Sequence, residues 1–128
     1  MTNGLCKEER LHGKRVIANL FAHGRSFFLS PYKVFWIQIP EINSFPTGFA
    51  ISVPKRRFKR AVKRNLIKRR TREAFRTNKQ ILNATVTDGS QIHLMLIYVS
   101  DRLLPFVELN DAMKKIVQRI ARQHVESV

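Results

Sequence analysis

An internal segment in which apolar residues recur among basic ones constrains this chain more than any other feature. Between residues 55 and 76 there are 12 Lys and Arg side chains and one acid, Glu73, so this segment carries +11 of the formal net charge of +15. At about 100° per residue, apolar side chains of residues 61–76 cluster on one side, which predicts an amphipathic helix. The predicted core-facing side chains are Val62, Leu66, Ile67 and Ala74.

The opposite side of this predicted helix is cationic. It consists of Arg64, Asn65, Lys68, Arg69, Arg72 and Arg76. Lys63 and Arg70 fall within the apolar sector, where we expect their stems to pack on the core while their charges reach water. Like charges at i,i+4 spacing destabilise a free helix, so a solvated face without a ligand is the weaker interpretation. A polyanion partner is favoured, with nucleic acid ahead of a membrane surface.

The rest of the chain predicts a small α+β fold. The predicted elements are helices at 10–22 and 107–125, strands at 32–39, 49–53 and 92–99, and loops at 40–46 and 85–90. The last strand is apolar along its whole length, which is typical of a buried central strand. The order is α-β-β-α-β-α, and the region 26–39 is long enough to supply one more strand. This order predicts a two-layer sandwich of helices packed on one sheet.

Length and cysteine content bound the class of protein. The 128 residues predict a single domain spanning 1–128, with flexible ends at 1–9 and 126–128. A single cysteine, Cys6, excludes an internal disulfide framework and a Cys-rich zinc site. No apolar run approaches the roughly 18 residues of a membrane span, and the N-terminus lacks a signal-peptide pattern. We therefore expect a cytoplasmic protein with no membrane partner.

No constellation of side chains predicts catalysis by this chain alone. Its nine acids are scattered, without the paired carboxylates of a two-metal nuclease. The four histidines lack the spacing of metal ligands. We expect no catalytic residue, metal ligand or organic cofactor in the protein itself.

A group of aromatic residues precedes the basic segment. It consists of Phe27, Phe28, Tyr32, Phe35 and Trp36. Alternation along a strand places Tyr32 and Trp36 on one face and Phe35 on the other. Aromatic rings exposed on a sheet stack with unpaired bases, although most of this group is expected in the core. Further candidates for phosphate contacts near this region are Lys14, Arg15 and Arg25.

The basic segment contains a motif that resembles the signature of the bacterial ribonuclease P protein family. Residues 61–73 read AVKRNLIKRRTRE and meet every specified position of the pattern A-V-x-R-N-x-x-K-R-x-x-R-E. Residues 52–56 resemble the strand end that precedes this motif, and residues 20–24 resemble the end of the family's first helix. The similarity spans nearly the whole chain and is far more specific than a basic stretch.

The resemblance implies a fold and an activity. The family's fold is α-β-β-β-α-β-α with one mixed sheet and a left-handed β-α-β crossover, which the general preference for right-handed connections would not predict. Its members are accessory subunits of a ribonucleoprotein endonuclease that removes the 5′ leader from precursor tRNA. The RNA subunit carries the catalytic site, with magnesium. The implied partners of this chain are that catalytic RNA and the leader, with no obligatory protein partner.

Carried over by position, the resemblance gives two groups of residues a role. The implied RNA-subunit-binding residues are Arg64, Asn65, Lys68, Arg69 and Arg72 in the motif, with Lys55, Arg56, Arg60 and Arg76 around it. The implied leader-binding cleft contains Phe21, Phe35, Ile17, Lys14 and Arg15. Two departures are Ile17, where the family often has an aromatic residue, and an approach at 55–60 that is longer than usual and lacks the usual glycine.

Three other functions stay open on the sequence. A structural RNA-binding protein of the ribosomal type would share this composition without a role in cleavage. A DNA-binding domain would place the basic helix in the major groove, but the cations outnumber plausible base readers. An autonomous nuclease would have to cleave without an RNA cofactor. The motif favours the ribonuclease P interpretation, in which the protein neutralises phosphate repulsion and lowers the magnesium requirement.

Overall fold

The helices and strands follow one another along the chain in the order that the family resemblance implies. A computed structural model of the protein describes residues 14–39, 47–86 and 90–126. Its elements are α1 (Lys14–His23), β1 (Arg25–Leu29), β2 (Tyr32–Ile39), β3 (Thr47–Ser52), α2 (Ala61–Asn83), β4 (Gln91–Tyr98) and α3 (Phe106–Glu126). The region 26–39 supplies β1 and β2, so the order α-β-β-β-α-β-α is confirmed.

Some predictions concern residues outside the described ranges. These are the helix start at residue 10, Cys6, the loop 40–46, part of the loop 85–90, and the flexible ends at 1–9 and 127–128. Glu126, predicted to be flexible as well, is the last residue of α3. Within the described ranges, no helix has the length and apolar character that crossing a membrane requires.

Strand β4 is the centre of a mixed sheet with the strand order β1-β2-β4-β3. It pairs antiparallel with β2 and parallel with β3, while β1 pairs antiparallel with β2. Seven of its eight residues are buried. The prediction of a buried central strand is therefore confirmed. Strand β4 is buried because neighbouring strands cover both of its edges and helices cover both of its faces.

Helix α2 is the crossover between two parallel neighbours. Strands β3 and β4 are parallel, and parallel strands need a connection long enough to return the chain to the same end of the sheet. The chain provides this with the 23 residues of α2. The chain therefore connects the N-terminus of α2 to β3 and its C-terminus to β4. The hand of this crossover stays a prediction of the family resemblance.

One face of the sheet holds the main core against α2 and α3. Tyr32 lies on this face, and its hydroxyl is 2.7 Å from Thr71 Oγ1 on α2. Burial raises the pKa of the Tyr32 hydroxyl, which stays protonated in the core. The ring of Phe49 on β3 stacks on Phe75 of α2, with centroids 4.3 Å apart. These contacts set which side of α2 faces the sheet.

The opposite face, here called the α1 face, carries α1. Phe35 points to it, as alternation predicts, and its ring packs edge-on against Phe21 at a centroid distance of 4.8 Å. Leu20 of α1 is fully buried. Gly24 ends the helix as predicted, since its amide donates to the Leu20 carbonyl at 2.9 Å. A Cβ atom at this position would collide with that carbonyl oxygen, so the turn into β1 requires glycine.

Candidate nucleic-acid interface

The orientation of α2 differs from the one that the sequence predicted. Its buried residues are Ile67, Thr71, Ala74, Phe75, Asn78 and Leu82. Ile67 and Ala74 are buried as expected, but Val62 is 78% exposed and Leu66 is half-buried. The prediction for Val62 was wrong because Phe75, which stacks on Phe49 of the sheet, and the buried Leu82 turn the helix away from the side that Val62 and Leu66 suggested.

A groove runs along the exposed side of α2. It is lined by Val62, Asn65, Leu66, Arg69 and Arg72. Three of the predicted RNA-binding residues, Asn65, Arg69 and Arg72, therefore lie together on one surface. Asn65 and Arg69 are exposed, and Arg72 is half-buried. The groove combines two cationic side chains and one amide with two aliphatic side chains.

The approach to α2 adds further cations beside this surface. Lys55, Arg56 and Arg60 are exposed on the segment between β3 and α2. The N-terminus of α2 has no side-chain cap, because Arg60 occupies the N-cap position without a capping hydrogen bond. Lys68, also on α2, is half-buried. Together these residues extend the positive surface beyond the groove.

Two arginines of the motif region bond to backbone carbonyls within the protein. The Nη1 atom of Arg64 donates to the carbonyls of Phe58 and Lys59, both at 2.8 Å. The Nη1 atom of Arg70 donates to the Leu104 carbonyl at 2.7 Å. Arg64 thus holds the cationic approach segment against the first turn of α2. Arg70 was expected to extend its charge into water, but it is half-buried and its guanidinium bonds to the loop before α3.

Two more arginines are paired with acids. Arg57 Nη1 lies 2.9 Å from Asp101 Oδ1, which ties the segment between β3 and α2 to the loop that follows β4. Arg76 forms a two-pronged ion pair with Glu73, in which its Nε donates to Oε2 at 2.9 Å. Arg76 is one of the predicted RNA-binding residues. Its positive charge is therefore partly neutralised by Glu73, the one acid among residues 55–76. Lys63, predicted within the apolar sector, is exposed.

Glu73 is a negative charge on the edge of this positive surface. The hydrogen bond from Arg76 holds the pKa of the Glu73 carboxyl below its usual range, so the group is ionised at neutral pH. Replacing Glu73 with Gln is expected to tighten binding to a structured RNA about two- to fivefold, because a charge that repels phosphate is removed. The gain should not vary between about pH 6 and pH 8, since Glu73 does not titrate there.

The control for this prediction is Glu108→Gln on α3, which removes an exposed acid and changes the net charge equally. Filter-binding titrations of both variants and the wild type at the same salt concentration give the comparison. An equal gain in both variants would contradict a local role for Glu73 and assign the effect to net charge.

The residues of the predicted leader-binding cleft differ in how exposed they are on the α1 face. Phe21 is 47% exposed and contacts the half-buried Phe35, as described above. Ile17 is half-buried and Arg15 is exposed on α1. Lys14 begins the helix, but its side chain lies outside the described part of the structure. The structure therefore brings Phe21 and Phe35 into direct contact.

Two residues on this face were missing from the predicted cleft. Phe28 is 59% exposed and pairs with Lys33 across β1 and β2. Lys33 Nζ lies 5.9 Å from the centroid of the Phe35 ring. Alternation from Phe35 would have located Lys33, and the register of a hairpin through residues 30–31 would have located Phe28. The other aromatics of the group, Phe27, Tyr32 and Trp36, are buried.

The residues that the structure describes contain no candidate metal centre. Among them, no group of three or more His, Cys, Asp and Glu side chains is placed to hold a metal ion. The groove gathers the guanidinium groups of Arg69 and Arg72, whose positive charges repel a metal ion. These charges favour an anionic ligand at this surface.

Comparison with known proteins gives this surface its context. The family model described as Ribonuclease P matches residues 5–121 of the chain. The chain belongs to the ribonuclease P protein family. The ribonuclease P protein component of Porphyromonas gingivalis is 40% identical over 122 residues, which cover 94% of this chain and 88% of that protein. That of Chlorobium phaeobacteroides is 33% identical over 109 residues, covering 78% and 75%.

Solved structures of ribonuclease P proteins share the fold. The protein from Thermotoga maritima superimposes with a TM-score of 0.68 at 22% identity, covering 87% of this chain and 96% of that one. The protein from Staphylococcus aureus gives a TM-score of 0.65 at 20% identity, covering 88% and 94%. The α+β class and the element order are therefore confirmed.

Membership of the ribonuclease P protein family gives the coarse function. The chain is the protein component of the ribonucleoprotein that processes the 5′ end of tRNA, and an RNA subunit is its partner. It is the accessory subunit of an endoribonuclease whose catalytic RNA is the other subunit.

Proposed function

We propose that the exposed side of α2 binds the RNA subunit and that the α1 face binds the 5′ leader of precursor tRNA. The observation that carries this proposal is the groove on α2, where Asn65, Arg69 and Arg72 converge beside the exposed cations of the approach segment. Arginine presents a forked set of donors that suits phosphate oxygens. A folded RNA offers phosphates at high density, so this surface fits it.

The α1 face offers a different kind of chemistry. Phe21 and Phe28 are exposed there, and Lys33 lies beside the half-buried ring of Phe35. Single-stranded RNA is bound by stacking its bases on aromatic rings while cations contact the backbone. A 5′ leader is single-stranded, whereas the body of tRNA is largely helical. The α1 face therefore favours precursor tRNA over mature tRNA.

Magnesium acts through the RNA subunit in this proposal. Phosphate groups of the catalytic RNA and its substrate repel each other, and the positive protein surface between them neutralises part of that repulsion. The complex then needs less magnesium to assemble with its substrate. The protein holds no organic cofactor, and the process takes place in the cytoplasm.

The α2 assignment is tested by comparing affinity for a bacterial ribonuclease P RNA with affinity for duplex DNA at equal salt. We expect tighter binding to the RNA and a steep fall of affinity with salt. Equal affinity for both would support a general polyanion binder. Tight RNA binding without an effect on cleavage would support the structural, ribosomal-type alternative.

Loss of the ring at Phe35 is expected to weaken recognition of the leader. For Phe35→Leu, we expect the preference of the assembled enzyme for precursor over mature tRNA to fall about tenfold, because one base loses its stacking partner. The protein's affinity for the RNA subunit should stay unchanged. Phe106→Leu on α3, another half-buried phenylalanine, is the control. A precursor preference that survives Phe35→Leu, Phe21→Leu and Phe28→Leu would contradict the leader assignment.

A further inference from the structure

The groove on α2 contains an aliphatic strip that the protein's own core does not use. Val62 is 78% exposed, and Leu66, one helical turn later, is half-buried beside it. Single exposed apolar residues are common and need no explanation. Here two apolar side chains lie at i,i+4 spacing and line one groove together with Asn65, Arg69 and Arg72. Phosphate binding alone does not require this aliphatic part of the lining.

The lining residues match the chemistry of a nucleobase. A base has a flat, weakly polar face that packs against aliphatic side chains, and an edge that carries hydrogen-bond donors and acceptors. Asn65 offers one amide donor group and one acceptor. Arg69 and Arg72 supply the positive charge that phosphates on either side of the base would meet. In an A-form duplex, the faces of the bases are stacked and side chains do not reach the major-groove edges.

We propose that this groove holds an unpaired nucleotide of the RNA subunit, with its base on Val62 and Leu66 and its edge towards Asn65. This inference rests on the proposed function, in which α2 binds that RNA. The inference adds to the proposed function, because the groove would recognise a single-stranded or bulged nucleotide as well as neutralise phosphates. Binding at the groove then has an apolar part that salt does not screen.

The first test separates the apolar contribution to RNA binding from the electrostatic contribution. Val62→Thr keeps the β-branched shape but replaces a methyl group with a hydroxyl. We expect affinity for ribonuclease P RNA to fall about fivefold at every salt concentration, with no change in the slope of log affinity against log salt. Arg69→Gln should instead make that slope shallower by about 0.7 to 0.9. Val107→Thr on α3, where the valine is 68% exposed, is the matched control and should match the wild type.

The second test identifies the nucleotide. A benzophenone is attached to Val62→Cys in a Cys6→Ser background, the complex with the RNA is irradiated, and the crosslinked position is mapped by reverse transcription. A crosslink to an unpaired nucleotide supports the inference, and a crosslink confined to base-paired helices overturns it. Val62→Thr binding as tightly as Val107→Thr overturns it as well. If the wild type does not bind the RNA, the proposed function itself fails, which separates the two outcomes.

Discussion

Replacing Arg69 and Arg72 together with glutamine is expected to weaken binding to the RNA subunit on the order of 100-fold at low salt. Both side chains line the groove on α2, and Arg69 is exposed. Each provides charge-assisted hydrogen bonds to phosphate, and glutamine keeps a similar length without the charge. Neither side chain belongs to the buried side of α2, so the fold should be retained.

Binding of the double variant is measured across a salt series with ribonuclease P RNA. The slope of log affinity against log salt should become shallower by about 1.5, since two phosphate contacts are lost. Lys114→Gln with Arg122→Gln on α3 removes two exposed positive charges in the same way and serves as the control. If both double variants lose the same affinity, net charge governs binding and the groove has no special role.

Truncating Phe75 is expected to cost about 3–5 kcal/mol of the free energy of unfolding. Phe75 is fully buried, and its ring stacks on Phe49 with centroids 4.3 Å apart. Phe75→Ala therefore leaves a cavity between α2 and β3. Domains of this kind have a total stability of roughly 5–15 kcal/mol, so the loss is a large fraction of it.

Denaturant unfolding of Phe75→Ala and of Phe28→Ala gives the comparison. Phe28 is 59% exposed, and its truncation should cost less than about 1 kcal/mol. Because RNA binds the folded protein, saturating RNA should recover part of the stability of Phe75→Ala. Equal losses in the two variants would contradict the placement of Phe75 between helix and sheet.

The fold followed from patterns that depend on near neighbours in the sequence. The apolar run at 92–99 predicted the central strand, and alternation along β2 correctly separated Tyr32 and Trp36 from Phe35. Gly24 marked the end of α1, because no other residue fits its close approach to the Leu20 carbonyl. The period of apolar residues and the residue types of turns depend only on neighbouring positions, and they can therefore be read from the sequence.

The rotation of α2 depended on contacts that no local pattern contains. The predicted core side rested on Val62, Leu66 and their neighbours at helical spacing, and it left out Phe75. The stack of Phe75 on Phe49 and the burial of Leu82 determine the rotation. The predicted segment ended at residue 76, whereas α2 continues to Asn83. A wheel drawn over the full helix would have moved the predicted core side towards the observed one.

The partners of individual arginines were also beyond the sequence. Arg64 bonds to the carbonyls of Phe58 and Lys59, and Arg70 bonds to the carbonyl of Leu104. Every residue has a carbonyl group, so no residue type marks these acceptors. The family motif named Arg64 for RNA binding, and the structure adds that it organises the cationic segment before α2. Its contact with RNA stays a prediction.

Cleavage of precursor tRNA at low magnesium tests the central claim most directly. A bacterial ribonuclease P RNA is assayed with and without this protein, at a magnesium concentration where the RNA alone is nearly inactive. We predict a single cut at the mature 5′ end that requires the RNA, is strongly stimulated by the wild-type protein, and is stimulated poorly by Arg69→Gln with Arg72→Gln. Tight binding of the protein to a cognate RNA without any stimulation of cleavage would contradict the claim.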